Sequence, residues 1–176
     1  MAIVRKKVEL PSNVAPAGER TLQSLVAELK DAGLYDFPLN IDRVAEYLGL
    51  EVTEELMDGD ISGYLEFKAG HWVAGLNALH HRNRQRFTLA HELAHFVLHR
   101  NERSNFVDQT FARREGAGDP VETQADRFAA DLLMPEDQVR ALVRQGITSL
   151  NDLAARFQVS QLAMRYRVKN LGFQVK

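Results

Sequence analysis

Two histidines with a glutamate between them form the pattern in this sequence that is most capable of chemistry. His91 and His95 are four residues apart, and Glu92 directly follows the first of them. On a helix, residues four apart lie one above the other, so both imidazoles can reach a single ion. A zinc ion held this way takes a third protein ligand and keeps a position for water, whose pKa falls to about 7. Glu92 is then placed to accept a proton from that water, and the pattern predicts metal-assisted hydrolysis of a carbonyl bond.

The third ligand must come from another element, and it must be a carboxylate or an imidazole because the sequence contains no cysteine. Glu122 is the best candidate, since it lies near the start of a predicted apolar helix. Asp126 is four residues further on the same face, where it could accept the free ring N–H of a ligating histidine and fix its tautomer. Glu115, Asp119 and Asp131 remain alternatives. Zinc is the expected ion, with manganese as the alternative.

His99 occupies the next position four residues along, but it is not expected to bind the same metal. The eight residues from His91 to His99 rise about 12 Å along a helix, which exceeds the span of one metal's ligand shell. We interpret His99 as a residue at the C-terminal end of the helix, where it interacts favourably with the helix dipole.

The group that would stabilise an oxyanion is left open by the sequence. Tyr64, His80, His81 and Tyr166 could each donate a hydrogen bond to a tetrahedral intermediate. The two adjacent histidines follow a predicted edge strand at 71–76 and are better explained as exposed loop residues. That strand could itself pair with an extended peptide.

The spacing of apolar residues predicts an α+β fold in which helices dominate, with a small antiparallel or mixed sheet between residues 51 and 77. Thr88 is a possible N-cap of the helix that carries the histidines. The polar stretch 100–119 is expected to be a long loop, which could order as a lid when substrate binds. Helices are predicted at residues 20–32, 40–48, 84–99, 121–134, 136–144, 149–157 and 160–171.

Composition excludes several classes of protein. Apolar residues make up 45 % of the 176 residues, enough for a packed core, so a fibrous or disordered chain is excluded. The net charge of −2 provides no general attraction to DNA or to an anionic membrane. The N-terminus lacks the apolar stretch of a secretory signal, and no run approaches the roughly 18–20 apolar residues that span a bilayer. A cytoplasmic protein without a membrane partner is expected.

The chain divides into three predicted parts. Residues 1–18 are expected to be a flexible leader, because Pro, Ser, Asn and Gly are concentrated in 10–18. Residues 19–135 are expected to form the core that carries the chemistry. Residues 136–176 form a helical C-terminal segment.

Residues 60–135 resemble the ImmA/IrrE family of bacterial metallopeptidases, which implies a zincin-like fold of the gluzincin type. Asp126 and Ala94 stand where many members have Asn and Gly, and neither change removes a metal ligand. The first block that carries the resemblance comprises Ile61-Ser62-Gly63, Asn77, Arg86 to His95 and Leu98-His99. The second comprises Glu122, Ala125, Asp126, Phe128-Ala129-Ala130 and Leu132 to Pro135.

The resemblance implies roles for particular residues and a class of substrate. It assigns zinc binding to His91, His95 and Glu122, and the general-base role to Glu92. It also implies regulatory proteolysis of a helix-turn-helix repressor of the Xre or cI type, which controls transcription of a mobile element or a stress response. Some relatives act as one half of a toxin–antitoxin-like pair, so an antitoxin is the alternative partner.

The C-terminal stretch 149–172 supports a rival hypothesis, because it resembles a helix-turn-helix whose second helix carries Arg165, Arg167 and Lys169. The protein would then be a DNA- or partner-binding regulator with a metal site but no general protease activity. The family resemblance favours packing of this segment on the core, so direct DNA binding is not expected. The intact Glu92 also argues against a purely structural metal site, which has no use for a base.

Overall fold

The computed structural model describes residues 20–109 and 119–173, so the predicted leader at 1–18 lies outside the described residues. The helix-dominated α+β fold is confirmed, and no helix in these two ranges is long and apolar enough to cross a membrane. The helices are α1 (Leu22–Asp31), α2 (Ile41–Tyr47), α3 (Arg82–Ala94), α4 (Pro120–Leu133), α5 (Glu136–Arg144), α6 (Leu150–Phe157) and α7 (Gln161–Asn170), and α3 continues into a π-helical segment, His95–His99. The strands are β1 (Glu51–Glu55), β2 (Ile61–Lys68), β3 (His71–Asn77) and β4 (Asn105–Gln109).

The four strands form one mixed sheet in the order β1-β3-β2-β4. Strand β1 is parallel to β3, whereas β2 is antiparallel to both β3 and β4. The expectation of an edge strand at 71–76 is therefore wrong, because β3 is paired on both sides and has no free backbone groups for a peptide. Strand β3 lies between β1 and β2 in the sheet, and the local sequence pattern does not reveal that order.

Strand β4 lies within the stretch 100–119 that was expected to be a loop. It pairs with β2, with Phe106 opposite Leu65, and it alternates between the buried Phe106 and the exposed Val107. Five residues with a single buried apolar side chain, Phe106, carry too little periodicity to predict a strand. Residues 110–118 lie outside the described residues, so the lid hypothesis stays a prediction.

Helix α3 begins earlier than expected, at Arg82 rather than after Thr88. His81 is its N-cap, and the Nδ1 atom of His81 accepts a hydrogen bond from the backbone N–H of the second helical residue. The first turns are polar because their side chains tie the helix to its surroundings; Gln85, for example, donates to the carbonyl oxygen of Asn77. Thr88 is a buried mid-helix residue.

Helix α3 lies between the sheet and α4 and contacts both layers. Leu65 and Leu76 of the sheet, Leu89 and Leu93 of α3, and Phe128 of α4 belong to one apolar core and are at most 4 % exposed. Each such side chain stabilises the fold by about 1.5–3 kcal/mol relative to an exposed position. Because this packing holds α3 on two sides, the side chains at its C-terminal end have defined positions.

The absence of a side chain at Gly63 allows α3 to approach strand β2 closely. A Cβ atom at this position would lie 2.6 Å from the carbonyl oxygen of Gly75 and 2.6 Å from Cγ2 of Thr88. The same Cβ would lie 3.4 Å from Oε1 of Glu92. Any larger residue would push α3 away from the sheet and displace Glu92 with it.

The C-terminal helices are packed on the rest of the domain by buried polar anchors. Arg167 of α7 donates to the carbonyl oxygen of Met134 at 2.8 Å and forms a 2.6 Å ion pair with Asp131. At the other end of this segment, Arg86 of α3 donates to the carbonyl oxygen of Gln158, in the turn between α6 and α7. These contacts fix α6 and α7 against α3 and α4.

Candidate metal centre

The start of helix α4 determines where its acidic side chains lie. Asp119 is the N-cap, and its Oδ1 accepts a hydrogen bond from the backbone N–H of Val121 at 3.0 Å. Pro120 occupies the first turn, where its missing N–H has no cost. The helix therefore begins with Glu122 in its first turn and Asp126 one turn later, and both carboxylates face α3.

Three side chains from two elements converge on one point. The Nε2 atoms of His91 and His95 lie 3.0 Å apart. The carboxylate of Glu122 places Oε2 3.1 Å from Nε2 of His91 and Oε1 3.4 Å from Nε2 of His95. Tetrahedral zinc with ligands at about 2.0–2.1 Å separates those ligands by about 3.3–3.4 Å. The three groups therefore fit the spacing of a metal site, and among the described residues they form a group that could hold an ion.

The electrostatics of this cluster favour a positive charge at its centre. Burial disfavours a charged His91, but hydrogen bonds to Asp126 and Glu122 outweigh burial and raise the pKa of His91 to about 9. Burial opposes ionisation of Glu122 as well, yet the two histidines hold the pKa of Glu122 well below its usual range. The pKa of His95 is lowered, mainly by burial. Without a metal the site therefore holds a proton on His91, which a metal ion would replace.

Asp126 supports His91 from behind. Its Oδ1 lies 2.9 Å from Nδ1 of His91, and a carboxylate can only accept, so Nδ1 donates. Nδ1 therefore keeps its proton, so the proton that a metal ion would displace from His91 is the one on Nε2.

His95 is supported by residues that the sequence interpretation did not assign to the site. Its Nδ1 lies 3.0 Å from Nδ1 of His99, and Nε2 of His99 lies 3.0 Å from Oε1 of Gln124 on α4. The ring of Phe106 stacks on His95 with centroids 4.4 Å apart. His99 is 3 % exposed and touches the ligand, whereas a residue that only ends a helix would face solvent. Its spacing from His95 was the available signal, since residues four apart share a helix face.

Glu92 lies beside the cluster and is fully buried, with an exposure of 0 %. Its side chain extends from α3 toward Gly63 of β2, and its negative charge contributes to the raised pKa of His91. A buried carboxylate next to the ligand group is suitably placed to accept a proton.

The other candidates for the third ligand have different roles in the structure. Asp119 caps α4, and Asp131 pairs with Arg167. Glu115 lies outside the described residues. Of the carboxylates that the structure describes, only that of Glu122 joins the two histidines in such a group.

The structure does not bring Tyr64 to this cluster. The side chain of Leu65 belongs to the core that α3 shares, and successive strand residues face opposite sides of a sheet. Tyr64 thus lies on the far face of the sheet, where it covers Gly75 and donates a 2.7 Å hydrogen bond to Glu55. Burial and this hydrogen bond raise the pKa of Tyr64 to about 12.

The remaining oxyanion candidates also lie away from the cluster. His81 caps the N-terminus of α3, about 15 Å of helix rise from His91, and His80 precedes it in the connection from β3. Tyr166 is 46 % exposed on α7, which is anchored at the C-terminal end of α4, whereas Glu122 lies in the first turn of α4. None of the described contacts joins Tyr64, His80, His81 or Tyr166 to the cluster, and the choice of oxyanion donor stays a prediction.

Comparison with protein-family models gives one match, described as the IrrE N-terminal-like domain, Peptidase_M78, over residues 45–169. No curated protein matches the chain significantly. The matched range contains the histidine motif, Glu122 and Asp126, and it extends through α6 and most of α7. Because the match spans well over half of the 176 residues and includes the whole candidate site, this chain belongs to the Peptidase_M78 family of metallopeptidases.

Proposed function

We propose that this chain is a zinc-dependent endopeptidase that cleaves one specific protein. The observation that carries the proposal is the convergence of His91, His95 and Glu122 at distances that match a tetrahedral zinc site, with Glu92 buried beside them. A structural zinc site is usually closed by four protein ligands. Three ligands and an adjacent base are instead the arrangement of a hydrolytic site.

The residues divide the work of hydrolysis between them. His91, His95 and Glu122 would hold the ion, with Asp126 and His99 orienting the two imidazoles. The ion supplies a Lewis acid that acidifies water and polarises a peptide carbonyl. Glu92 accepts the proton of the attacking water and passes it to the leaving amine, which is the general-base role followed by the general-acid role.

Strand β4 offers a place for the substrate. It is at the edge of the sheet, and in the part of the chain that the structure describes it pairs only with β2. Phe106 of β4 stacks on His95, so the edge lies directly beside the site. An extended peptide that adds to this edge would pass over the metal centre. This requirement favours a linker or an unfolded segment as the cleavage site.

We propose a helix-turn-helix repressor as the substrate, following the family resemblance. Cleavage of an extended segment of such a repressor would release transcription of a stress response or a mobile element. The alternative is an antitoxin-like partner that is bound without being cut. Either partner would place the protein in the cytoplasm.

The test combines metal content with cleavage. Purified wild type should hold about one zinc or manganese per chain after dialysis, and His91→Ala should hold none. Wild type should cut a repressor encoded beside its gene, and Glu92→Gln should keep the metal but cut at least about 100-fold more slowly. Wild type that binds no metal would overturn the proposal, and equal cleavage by Glu92→Gln would overturn the role of Glu92.

A further inference from the structure

His99 and Gln124 form a short hydrogen-bonded chain behind His95. Oε1 of Gln124 lies 3.0 Å from Nε2 of His99, and Nδ1 of His99 lies 3.0 Å from Nδ1 of His95. His99 is 3 % exposed, and both of its ring nitrogens are engaged. Gln124 lies on the exposed side of α4, so the chain runs from the surface to the candidate ligand.

The chemistry of the glutamine determines the direction of this chain. An amide oxygen only accepts, so Nε2 of His99 must donate to Gln124. A neutral imidazole carries one N–H, so Nδ1 of His99 then accepts. The only remaining donor is Nδ1 of His95, which leaves Nε2 of His95 without a proton.

Nε2 of His95 is the atom that faces the candidate site. It lies 3.0 Å from Nε2 of His91 and 3.4 Å from Oε1 of Glu122. A metal binds only the bare nitrogen of an imidazole. We propose that His99 and Gln124 are positioning residues that hold His95 in the tautomer with Nε2 free for the metal. The inference rests on the proposed function only in naming a metal as the ligand of His95.

Stacking completes the constraint on His95. The ring of Phe106 lies 4.4 Å from the ring of His95 with an interplanar angle of 19°. The stack fixes the plane of the ring, and a 180° flip within that plane would break the contact of Nδ1 with His99. With the ring orientation set by Phe106 and His99 together, the remaining freedom of His95 is the position of its proton, and His99 and Gln124 control that position.

Two pairs of variants, at His99 and at Gln124, distinguish loss of the hydrogen-bond acceptor from a change in side-chain size. His99→Phe keeps an aromatic ring but removes the acceptor, whereas His99→Asn places an amide oxygen close to the position of Nδ1. Gln124→Met removes the amide oxygen, whereas Gln124→Glu keeps an acceptor at the same length. Thr123→Ala, at the exposed neighbouring position on α4, is the matched control.

Two measurements apply to each variant. The ring ¹⁵N shifts of His95 in the metal-free protein at pH 8 report which nitrogen carries the proton. Competition with a chromogenic chelator gives the dissociation constant for zinc, and thermal unfolding checks the fold. We expect His99→Phe and Gln124→Met to weaken zinc binding about 10–100-fold and to move the proton of His95 toward Nε2. His99→Asn, Gln124→Glu and Thr123→Ala should resemble the wild type in both measurements.

The two measurements distinguish failure of this inference from failure of the proposed function. A proton on Nε2 of His95 in the metal-free wild type would overturn the inference, and so would equal losses of zinc affinity in His99→Phe and His99→Asn. Absence of zinc binding by the wild type would overturn the proposed function instead, while the ring shifts of wild type and His99→Phe would still decide the tautomer.

Discussion

Two pairs of histidines flank or end helix α3, with His80 and His81 before its first residue and His91 and His95 at its C-terminal end, and the two pairs have different surroundings. At the N-terminal end, His81 is exposed and caps the helix, and His80 lies in the connection before it. At the C-terminal end, His91 and His95 are each 1 % exposed, and their Nε2 atoms face one another at 3.0 Å. Residue type and the shared helix do not distinguish the pairs.

The difference comes from what lies opposite each end. Helix α4 presents Glu122 and Asp126 to the C-terminal pair and supplies the charges that raise the pKa of His91. The N-terminal end instead meets the turn after α6, where Asn83 donates to the carbonyl oxygen of Val159. The C-terminal pair forms a candidate metal site because the opposing helix brings Glu122 to both imidazoles, whereas the carboxylates of Asp42 and Glu54 at the N-terminal end pair with Arg82. The largest losses of zinc binding are therefore expected at the C-terminal end, and the smallest at the N-terminal end.

The largest effect is expected from Glu122→Ala, which removes the carboxylate from the centre of the cluster. Zinc affinity should fall by more than about 100-fold, since even the loss of an outer partner costs about 10–100-fold. Isothermal titration would measure the loss. Asp119→Ala, which removes the cap of the same helix, should lower the melting temperature but leave zinc binding intact. Equal zinc affinity in Glu122→Ala and wild type would exclude Glu122 as a ligand.

Metal binding should depend steeply on pH. The raised pKa of His91, about 9, means that a proton occupies the cluster below that pH and competes with the metal. Apparent zinc affinity should therefore rise about tenfold per pH unit from pH 6 to 8 and level off above 9. Competition with a chelator of known pH dependence measures the slope, and a flat profile would contradict the placement of this proton.

The stability of the metal-free protein should change in the opposite sense. The folded pKa of His91, about 9, lies above the ordinary value of 6.5, so its stabilising contribution is complete below pH 6.5 and is lost as pH rises through 9. The pKa of Glu122 is lowered from 4.5, so its contribution is present above pH 4.5 and is lost as pH falls further. Urea unfolding at several pH values, with and without zinc, would measure this change. A free energy of unfolding of the metal-free protein that does not fall between pH 6.5 and 9 would contradict the raised pKa of His91.

A smaller effect is expected from Asp126→Ala, which removes the acceptor behind His91. Zinc affinity should fall about 10–100-fold while the fold is retained. Asp126→Asn keeps an oxygen that can accept from Nδ1 and should recover most of the affinity. If both variants lose the same affinity, the charge of Asp126 matters and its hydrogen bond does not.

The smallest effect is expected at the other end of α3. His81→Ala removes the N-cap hydrogen bond and should lower the free energy of unfolding by about 0.5–1 kcal/mol. Zinc affinity should remain that of the wild type, because about 15 Å of helix separates His81 from His91. A measurable loss of zinc in this variant would mean that the two ends of α3 are coupled.

Local pattern predicted the helices closely but failed at the sheet. The predicted helix 136–144 coincides with α5, and the predicted helix 160–171 differs from α7 by one residue at each end. Helix α5 starts directly after Pro135, and α7 starts after Ser160, whose side chain accepts from the backbone N–H of Ala163; both are local signals. Strand β4 and the interior position of β3 were missed, because strand order depends on pairing between distant segments.

The candidate site also combines residues that local sequence pattern predicts with residues that only long-range packing brings together. His91, Glu92 and His95 are close in sequence, so the geometry of a helix is enough to bring them together. His99 lies at the same spacing, but its role depends on Gln124, which lies on another helix. Tyr64 lies on the face of the sheet away from α3, and residue type alone does not indicate which face a strand residue occupies.

The sequence by itself determined which helix presents two imidazoles and a base, since a spacing of four residues matches the helical repeat. It also determined the likeness to a metallopeptidase family, because the motif and the block from Glu122 to Pro135 are contiguous stretches of chain. Only the tertiary structure decided that Glu122 reaches both histidines and that His99 and Gln124 stand behind His95. Apart from the contact between His95 and His99, these contacts join residues more than twenty positions apart, and packing of α4 against α3 brings them together.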